Sequence, residues 1–151
     1  MSYISEMRKK VGHEPIIYAG ATVLVFNGAG ELLLNLRSDT NDWGIPGGGK
    51  EFGETLEECA VRELREETNL ETSALEPVTV LSGREYWFTY PNGDEVDGVI
   101  ALYKVKNYSG ELGINDGEST KLRFFPLDSL PELESRAKAI IDRLISGEIK
   151  L

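Results

Sequence analysis

Three glutamates in one short stretch carry the most pointed chemistry of this sequence. Glu63, Glu66 and Glu67 stand in the run from Gly47 to Leu70, GGGKEFGETLEECAVRELREETNL. On a helix, at about 100° per residue, they fall within an arc of roughly 100°, because side chains three and four positions apart lie one above the other. Like charges gathered so closely raise one another's pKa and cost stability unless something cationic resolves them. A hard divalent ion would do so: carboxylate oxygens, water and polyphosphate oxygens are the ligands that Mg²⁺ prefers. A solvated acidic face, ion-paired with Arg62 and Arg65, is the plainer alternative.

The helix that must position these carboxylates marks its own start. Thr55-Leu56-Glu57-Glu58 has the form of a capping box, in which the threonine hydroxyl and the Glu58 carboxylate each satisfy an orphan backbone donor. Ala60 and Leu64 then supply an apolar side. Asn69 falls just after the helix, where the chain tends to turn left-handed and where Asn is the most tolerant residue after Gly. Ahead of the helix, Gly47, Gly48 and Gly49 allow backbone angles and close approaches that side chains would block, setting carbonyls or amides against a ligand.

The spacing of the whole stretch resembles the signature of the Nudix hydrolases, G-x5-E-x7-R-E-U-x-E-E-x-G-U with U a bulky aliphatic. Gly48 is followed after five residues by Glu54, and after seven more by Arg62-Glu63-Leu64-Arg65-Glu66-Glu67-Thr68-Asn69-Leu70. The one departure is Asn69, where the family usually has glycine; the substitution keeps the backbone role. So many fixed positions at fixed spacing make a specific signal. It covers residues 47 to 70, with looser support from Trp43-Gly44-Ile45-Pro46.

The resemblance implies an α+β fold, a mixed sheet sandwiched between helices, with Mg²⁺ as cofactor and Mn²⁺ as its substitute. It further implies that Glu66 and Glu67 are metal ligands, that Glu63 binds metal or helps to deprotonate water, and that the Gly47 carbonyl helps to hold the ion. In many relatives an acidic residue from a later loop joins the cluster or acts as base; Glu118, with Asp116 behind it, fills that place, unless the loop is a plain turn. The base is thus open between Glu63 and Glu118. The expected reaction is hydrolysis of a diphosphate link in a nucleoside diphosphate joined to another group, with water attacking phosphorus in line and Mg²⁺ neutralising the developing charge. A rival of another class is a domain of the same fold that senses a nucleotide or ADP-ribose without cleaving it.

Other residues are candidates around that centre. Arg62 sits just off the glutamate arc and orients the carboxylates by ion pairing, while Glu54 binds metal through water or braces the loop. Gly48 and Gly49 offer backbone to the substrate. Arg37, at the end of a strand, is either a phosphate contact, since a guanidinium binds two oxygens at once, or a surface arginine. Trp43 either packs under the glycines or stacks on a nucleobase. Tyr86 lies about sixteen residues beyond the box, the spacing of a tyrosine that some dinucleoside polyphosphate enzymes carry.

Composition bounds the partners. A chain of 151 residues is most simply one domain, 1–151, able to bury a real core. A net charge of −10 disfavours a nucleic acid duplex or an anionic membrane as partner. It would repel a polyphosphate as well, so the small nucleoside diphosphate derivative that the resemblance implies can bind only where metal and a few cationic side chains reverse the potential. Cys59 is the only cysteine; it forms no intrachain disulfide and reads as a buried small hydrophobe in a reducing cytoplasm. No apolar run approaches membrane-spanning length. The expectation is a soluble cytoplasmic monomer or homodimer.

The remaining elements follow from pattern. Residues 2 to 11 form a short helix or arm with Arg8, Lys9 and Lys10 exposed. Ile16 to Phe26 is too apolar for an exposed strand and belongs to a sheet covered on both sides. After a turn at Asn27–Gly30, ELLLNLRS is a second strand, expected to pair with the first as an antiparallel hairpin. Strand-like runs between Ala74 and Tyr90 turn at Pro91–Asp94 and return from Val99, placing Trp87, Phe88 and Tyr90 on alternating sides. Leu122–Phe125 reads as a last strand. Asp128 or Ser129 reads as a cap, and 133–145 as a closing helix with Ala137, Ile140, Ile141 and Leu144 inward.

Overall fold

The apolar run after residue 15 becomes β1 (Ile16–Leu24), covered on both faces only from Gly20 onward; Ile17 and Ala19, against expectation, are exposed. In the computed structural model, which describes residues 2–115 and 117–151, Ala21, Val23 and Val25 enter one core with Cys59, Ala60 and Leu64. Leu24 points the other way, into a second core with Leu102, Ile140 and Ile141. Full burial of a Val, Leu or Ile side chain contributes about 1.5–3 kcal/mol, so both cores hold β1 in place.

The chain runs through α1 (Tyr3–Val11), β1, β2 (Leu32–Arg37), β3 (Trp43–Gly44), β4 (Gly47–Gly49) and α2 (Leu56–Thr68). It continues through β5 (Glu71–Leu81), a 3-10 turn at Arg84–Tyr86, β6 (Trp87–Thr89), β7 (Glu95–Ser109), β8 (Ser119–Phe125) and α3 (Ser135–Ser146). A five-stranded mixed sheet has the order β4-β1-β7-β5, with β6 also on β7; β1 and β7 are parallel and the other pairs antiparallel. A smaller antiparallel sheet has the order β3-β2-β8. With α2 on one core and α3 on the other, this is the expected α+β layering of mixed sheet between helices.

The expected hairpin of the first two strands shrinks to one bridge, Phe26 with Leu32, and a Leu33 N–H donating to the Val25 carbonyl at 2.9 Å. β2 then leaves for the second sheet and β8, while β1 takes β4 and β7 as neighbours. Both runs are apolar on both faces, so their pattern selects no partner. The turn at 91–94 does make a hairpin, between β6 and β7, closed by the Tyr90 N–H on the Asp94 carbonyl at 2.8 Å. The cap of α3 is Glu134, whose carboxylate accepts from the Ala137 N–H at 3.2 Å, rather than Asp128 or Ser129.

α1 forms as a helix with no buried residue, capped by Ser2. Its tether is Arg8, whose guanidinium donates to the carbonyls of Gly12, Glu14 and Glu95 at 3.0, 2.7 and 2.6 Å and lies 3.5 Å from Asp94. Among the described residues no helix is long and apolar enough to cross a membrane.

Candidate functional site

α2 is built as its sequence requires. Both halves of the capping box are present: the Glu58 N–H donates to Thr55 Oγ1 at 3.0 Å, and the Thr55 N–H to Glu58 Oε1 at 2.9 Å. Asn69 ends the helix left-handed, at φ 65°. Burial of Cys59, Ala60 and Leu64 fixes the helix on the sheet and turns Glu63, Glu66 and Glu67 to a cavity that they share with β4.

The three glycines form a strand rather than a loop, antiparallel to β1, with Gly49, Gly48 and Gly47 opposite Gly20, Ala21 and Thr22. None of the three has a positive φ, so close approach is what demands glycine here. A Cβ at Gly48 would lie 2.5 and 2.6 Å from the two Glu63 carboxylate oxygens. One at Gly47 would collide with the Ala21 carbonyl and come within 2.8 Å of the Thr22 Cα, and one at Gly49 would strike the Tyr18 ring.

Arg62 ties these parts together. Its Nε and Nη2 donate to the two oxygens of Glu54 at 2.5 and 3.0 Å, Nη1 to Glu63 at 2.9 Å and Glu66 at 3.1 Å, and Nη2 also to the Gly49 carbonyl at 2.9 Å. The hydrogen bonds from Arg62 hold Glu54 below the usual carboxylate range. Glu54 also accepts from the Glu51 N–H at 2.8 Å, so it braces the segment before the helix. Glu67 is buried and accepts from the Gly47 N–H at 2.6 Å; the amide of Gly47 holds it. Burial pushes the Glu63 carboxyl up to about 7, with Arg62 opposing and the charges of Glu66 and Glu118 adding to the rise. Glu118 lines the same cavity, and its carbonyl accepts from the N–H and hydroxyl of Ser38. Asp116 lies outside the described residues.

The donor set is one a hard cation takes: three carboxylates and backbone oxygens beside them. Glu63, desolvated to a pKa near 7, is short of positive charge, which a divalent ion would supply. The side chains are not already gathered into a cage. Among the described residues no three Asp, Glu, His or Cys side chains form a ready ligand group, because Arg62 engages Glu63 and Glu66 while the Gly47 amide engages Glu67.

The cavity has a volume of about 940 Å³. From the carboxylates it reaches an apolar wall of Ile45, Val96, Ile100, Ala137 and Ile140, and α1 closes one side with Ile4, Ser5 and Arg8. Arg37 lines it, with its guanidinium on Asp39 at 3.0 and 2.7 Å and over the Phe88 ring. Two sequence candidates stand elsewhere. Trp43 packs edge-on against Phe125, with ring centroids 4.9 Å apart, because its neighbours Gly44 and Ile45 take the cavity side. Tyr86 is wholly buried in the core with Leu81 and Ile141. Cys59 is buried as expected, with its thiol donating to the Gly48 carbonyl at 3.5 Å and pushed up to about 11 by burial.

Sequence reasoning missed Asn35, Glu134, Arg136 and the α1 wall. Glu134 pairs with Arg136 at 2.7 Å, and the guanidinium of Arg136 lies 4.0 Å over the Phe88 ring. Asn35 did leave a signal, as the one polar residue within the run LLLNL. It is 4% exposed, donates from Nδ2 to the Ser119 hydroxyl at 2.8 Å, and its Oδ1 has no hydrogen-bond partner among the described residues. An unsatisfied buried acceptor costs about 1–3 kcal/mol.

A NUDIX domain model matches residues 18–144. Over 108 residues the chain is 33% identical to the "Putative mutator protein MutT4" of Mycobacterium tuberculosis, covering 68% of this chain and 42% of that protein. It is 36% identical over 98 residues to an ADP-ribose pyrophosphatase of Methanocaldococcus jannaschii, covering 64% of this chain and 53% of that one. The chain thus spans about half the length, or less, of these relatives. A crystal structure of a MutT NUDIX hydrolase from Burkholderia pseudomallei has a TM-score of 0.70 at 24% identity, covering 87% of this chain and 98% of that one, a likeness of fold. α1 lies outside the matched span.

Proposed function

The chain belongs to the NUDIX domain family, and on that premise we propose that it is a Mg²⁺-dependent hydrolase of phosphorus-containing anhydrides, cleaving the diphosphate bond of a nucleoside diphosphate joined to another group. One observation carries the reading: the α2 carboxylates and the side-chain-free β4 line a single cavity, bound into one unit by Arg62. Glu63, Glu66 and Glu67, with the Gly47 backbone, would hold the ion, which supplies positive charge to the phosphate oxygens and lowers the pKa of bound water; Mn²⁺ would substitute.

The chain's own groups do the rest. Arg62 fixes the directions of Glu63 and Glu66, and the Gly47 amide fixes Glu67. The base that takes a proton from water is Glu118, on the wall of the same cavity, or Glu63 where it is not itself bound to the ion. Arg37 stands at the cavity for phosphate oxygens, with Gly48 and Gly49 letting substrate approach the backbone. The substrate is a small molecule; ADP-ribose, named for one relative, is one member of the class.

The test measures phosphate or AMP release by the purified protein with Mg²⁺, with EDTA, and in Glu67→Gln. Turnover should vanish with EDTA and fall about 100-fold or more in the variant, while the melting temperature holds, since the amide oxygen of Gln still accepts from Gly47. Binding of nucleotide without release, or near-normal turnover by Glu67→Gln, overturns the reading.

A further inference from the structure

Tyr18 lines the cavity from β1, and its ring leans across to β4. A Cβ at Gly49 would fall on the Tyr18 hydroxyl and on the ring carbon that bears it. The phenol thus fills the place that a side chain at residue 49 would take. Among the described residues the closed polar atoms without a hydrogen-bond partner are Arg8 Nε, Asn35 Oδ1 and Tyr86 OH. The Tyr18 hydroxyl, equally without a hydrogen bond among the described residues, is not sealed in this way and opens on the cavity.

The ring is held where it stands. Tyr3 of α1 stacks on it, with centroids 6.1 Å apart and planes at 26°. Tyr3 is fixed in turn by its N–H, which donates to Glu51 Oε1 at 2.7 Å, and by an edge contact with Phe52 at 5.2 Å. Opposite Tyr18 on β7 stands Gly98, so no side chain at that position competes for the space. A donor aimed in advance costs less entropy to use. Burial, then the nearby Tyr90, Glu51 and Glu63, push the phenol above the ordinary tyrosine range, so it stays an O–H donor at neutral pH. What it lacks is an acceptor. β4 is the edge strand of its sheet, with Glu63 against Gly48 and Tyr18 over Gly49. Successive residues of a strand face opposite sides, so a diphosphate reaching from the carboxylates into the cavity passes round this edge and comes within reach of the phenol. A neutral donor there needs no counter-ion, and its hydrogen bond to a charged oxygen is of the stronger kind.

Resting on the hydrolase reading, we propose that Tyr18 is a further substrate-binding residue, whose hydroxyl donates a hydrogen bond to a phosphate oxygen of the diphosphate. It holds the group in place and takes no proton from water.

The test measures binding of methylenediphosphonate, a diphosphate that cannot be hydrolysed, with Mg²⁺ by titration calorimetry. Tyr18→Phe removes an oxygen that bonds to nothing in the fold, so Tm should hold while Kd rises about tenfold or more. Tyr103→Phe is the control: that hydroxyl donates to Glu57 at 2.9 Å, outside the cavity lining, and its loss should leave Kd as in wild type. Release of phosphate or AMP from ADP-ribose and from nucleoside triphosphates is followed in the same samples. A Kd in Tyr18→Phe within about twofold of wild type, an equal loss in Tyr103→Phe, or no binding by wild type overturns the assignment. A tenfold loss of binding in a protein that releases no product sinks the hydrolase reading and leaves Tyr18 standing, whereas turnover with an unchanged Kd does the reverse.

Discussion

Adding one methyl group to Gly48 separates the site from the fold. A Cβ there would stand 2.5–2.6 Å from the Glu63 oxygens, against ordinary contacts near 3.5 Å, so the carboxylate must move by about 1 Å. It is the end of a flexible side chain and can do so, but the move strains its 2.9 Å hydrogen bond to Arg62. A charge-assisted bond of this kind is worth about 1.5–3 kcal/mol when lost outright. Because Glu63 can turn toward the cavity and keep part of it, the expected cost is about 1 kcal/mol, or about 2–4 °C in Tm. The same 1 Å misplaces a group at the reacting centre, for which about 100-fold in kcat/KM is the fitting scale. Gly47→Ala is the control in the opposite sense. There the obstacle is the β1 backbone, at the Ala21 carbonyl and Thr22 Cα, which cannot step aside without parting β4 from β1. Overpacking of this sort costs about 1–3 kcal/mol or more, so stability should fall several-fold further than in Gly48→Ala. Circular-dichroism melts beside diphosphate-hydrolysis assays decide the matter. Unimpaired turnover in Gly48→Ala, or equal destabilisation by the two variants, refutes the reasoning.

Three further outcomes are expected. Arg62→Lys keeps the charge but not the planar fork that reaches Glu54, Glu63, Glu66 and the Gly49 carbonyl together; turnover should drop about tenfold or more and Tm by a few degrees, and wild-type kinetics would contradict this. The hydrogen bond from His13, aided by Asn92 and Arg8, holds Asp94 below the usual carboxylate range. A depressed carboxylate adds stability that is present above its unfolded pKa and lost as pH falls through its folded one, so the Tm gap between wild type and Asp94→Asn should be full at pH 6 and shrink below about pH 4. A gap that widens in acid would refute the sign. Asn69→Gly keeps the left-handed turn but removes side-chain bonds to the Glu111 carbonyl at 3.0 Å and to Asn115 at 3.2 Å. Limited proteolysis should then cut near 111–115 faster with Tm nearly unchanged, and unaltered cleavage would count against that tie.

What could be read from residue order was local. The capping box, the left-handed Asn69 and the buried stripe of α2 are set by neighbours within four positions, and short-range geometry is what spacing encodes. The sheet partners were not legible: β1 lies parallel to β7, with Ile16 opposite Val96, and an apolar run does not announce which distant strand it meets. Of the two reasons that the sequence offered for the glycines, unusual backbone angles and close approach, the structure uses the second. Tyr86 misled for a related reason: it has the right chemistry for a nucleobase, but its ring is large enough that a core claims it, and of the two places open to Trp43 packing is the one it takes, against Phe125. Asn35 was passed over because a single polar residue in an apolar strand gains meaning only when its surroundings are known.

A strand that is greasy on both sides has nothing in its hydropathy to prevent it from sliding by one place, since each slip trades one buried face for another. In β1 the safeguard is a gap in the row of side chains. At Gly20 any Cβ would meet the Gly48 carbonyl, so only this residue can sit opposite Gly49 in the β1–β4 ladder. Gly20 thereby works as the notch of a key: a chain displaced by one residue presents Ala19 or Ala21 to that carbonyl and cannot seat. The alignment of glutamates with glycines across the cavity is thus decided by hydrogen atoms standing where methyl groups would be.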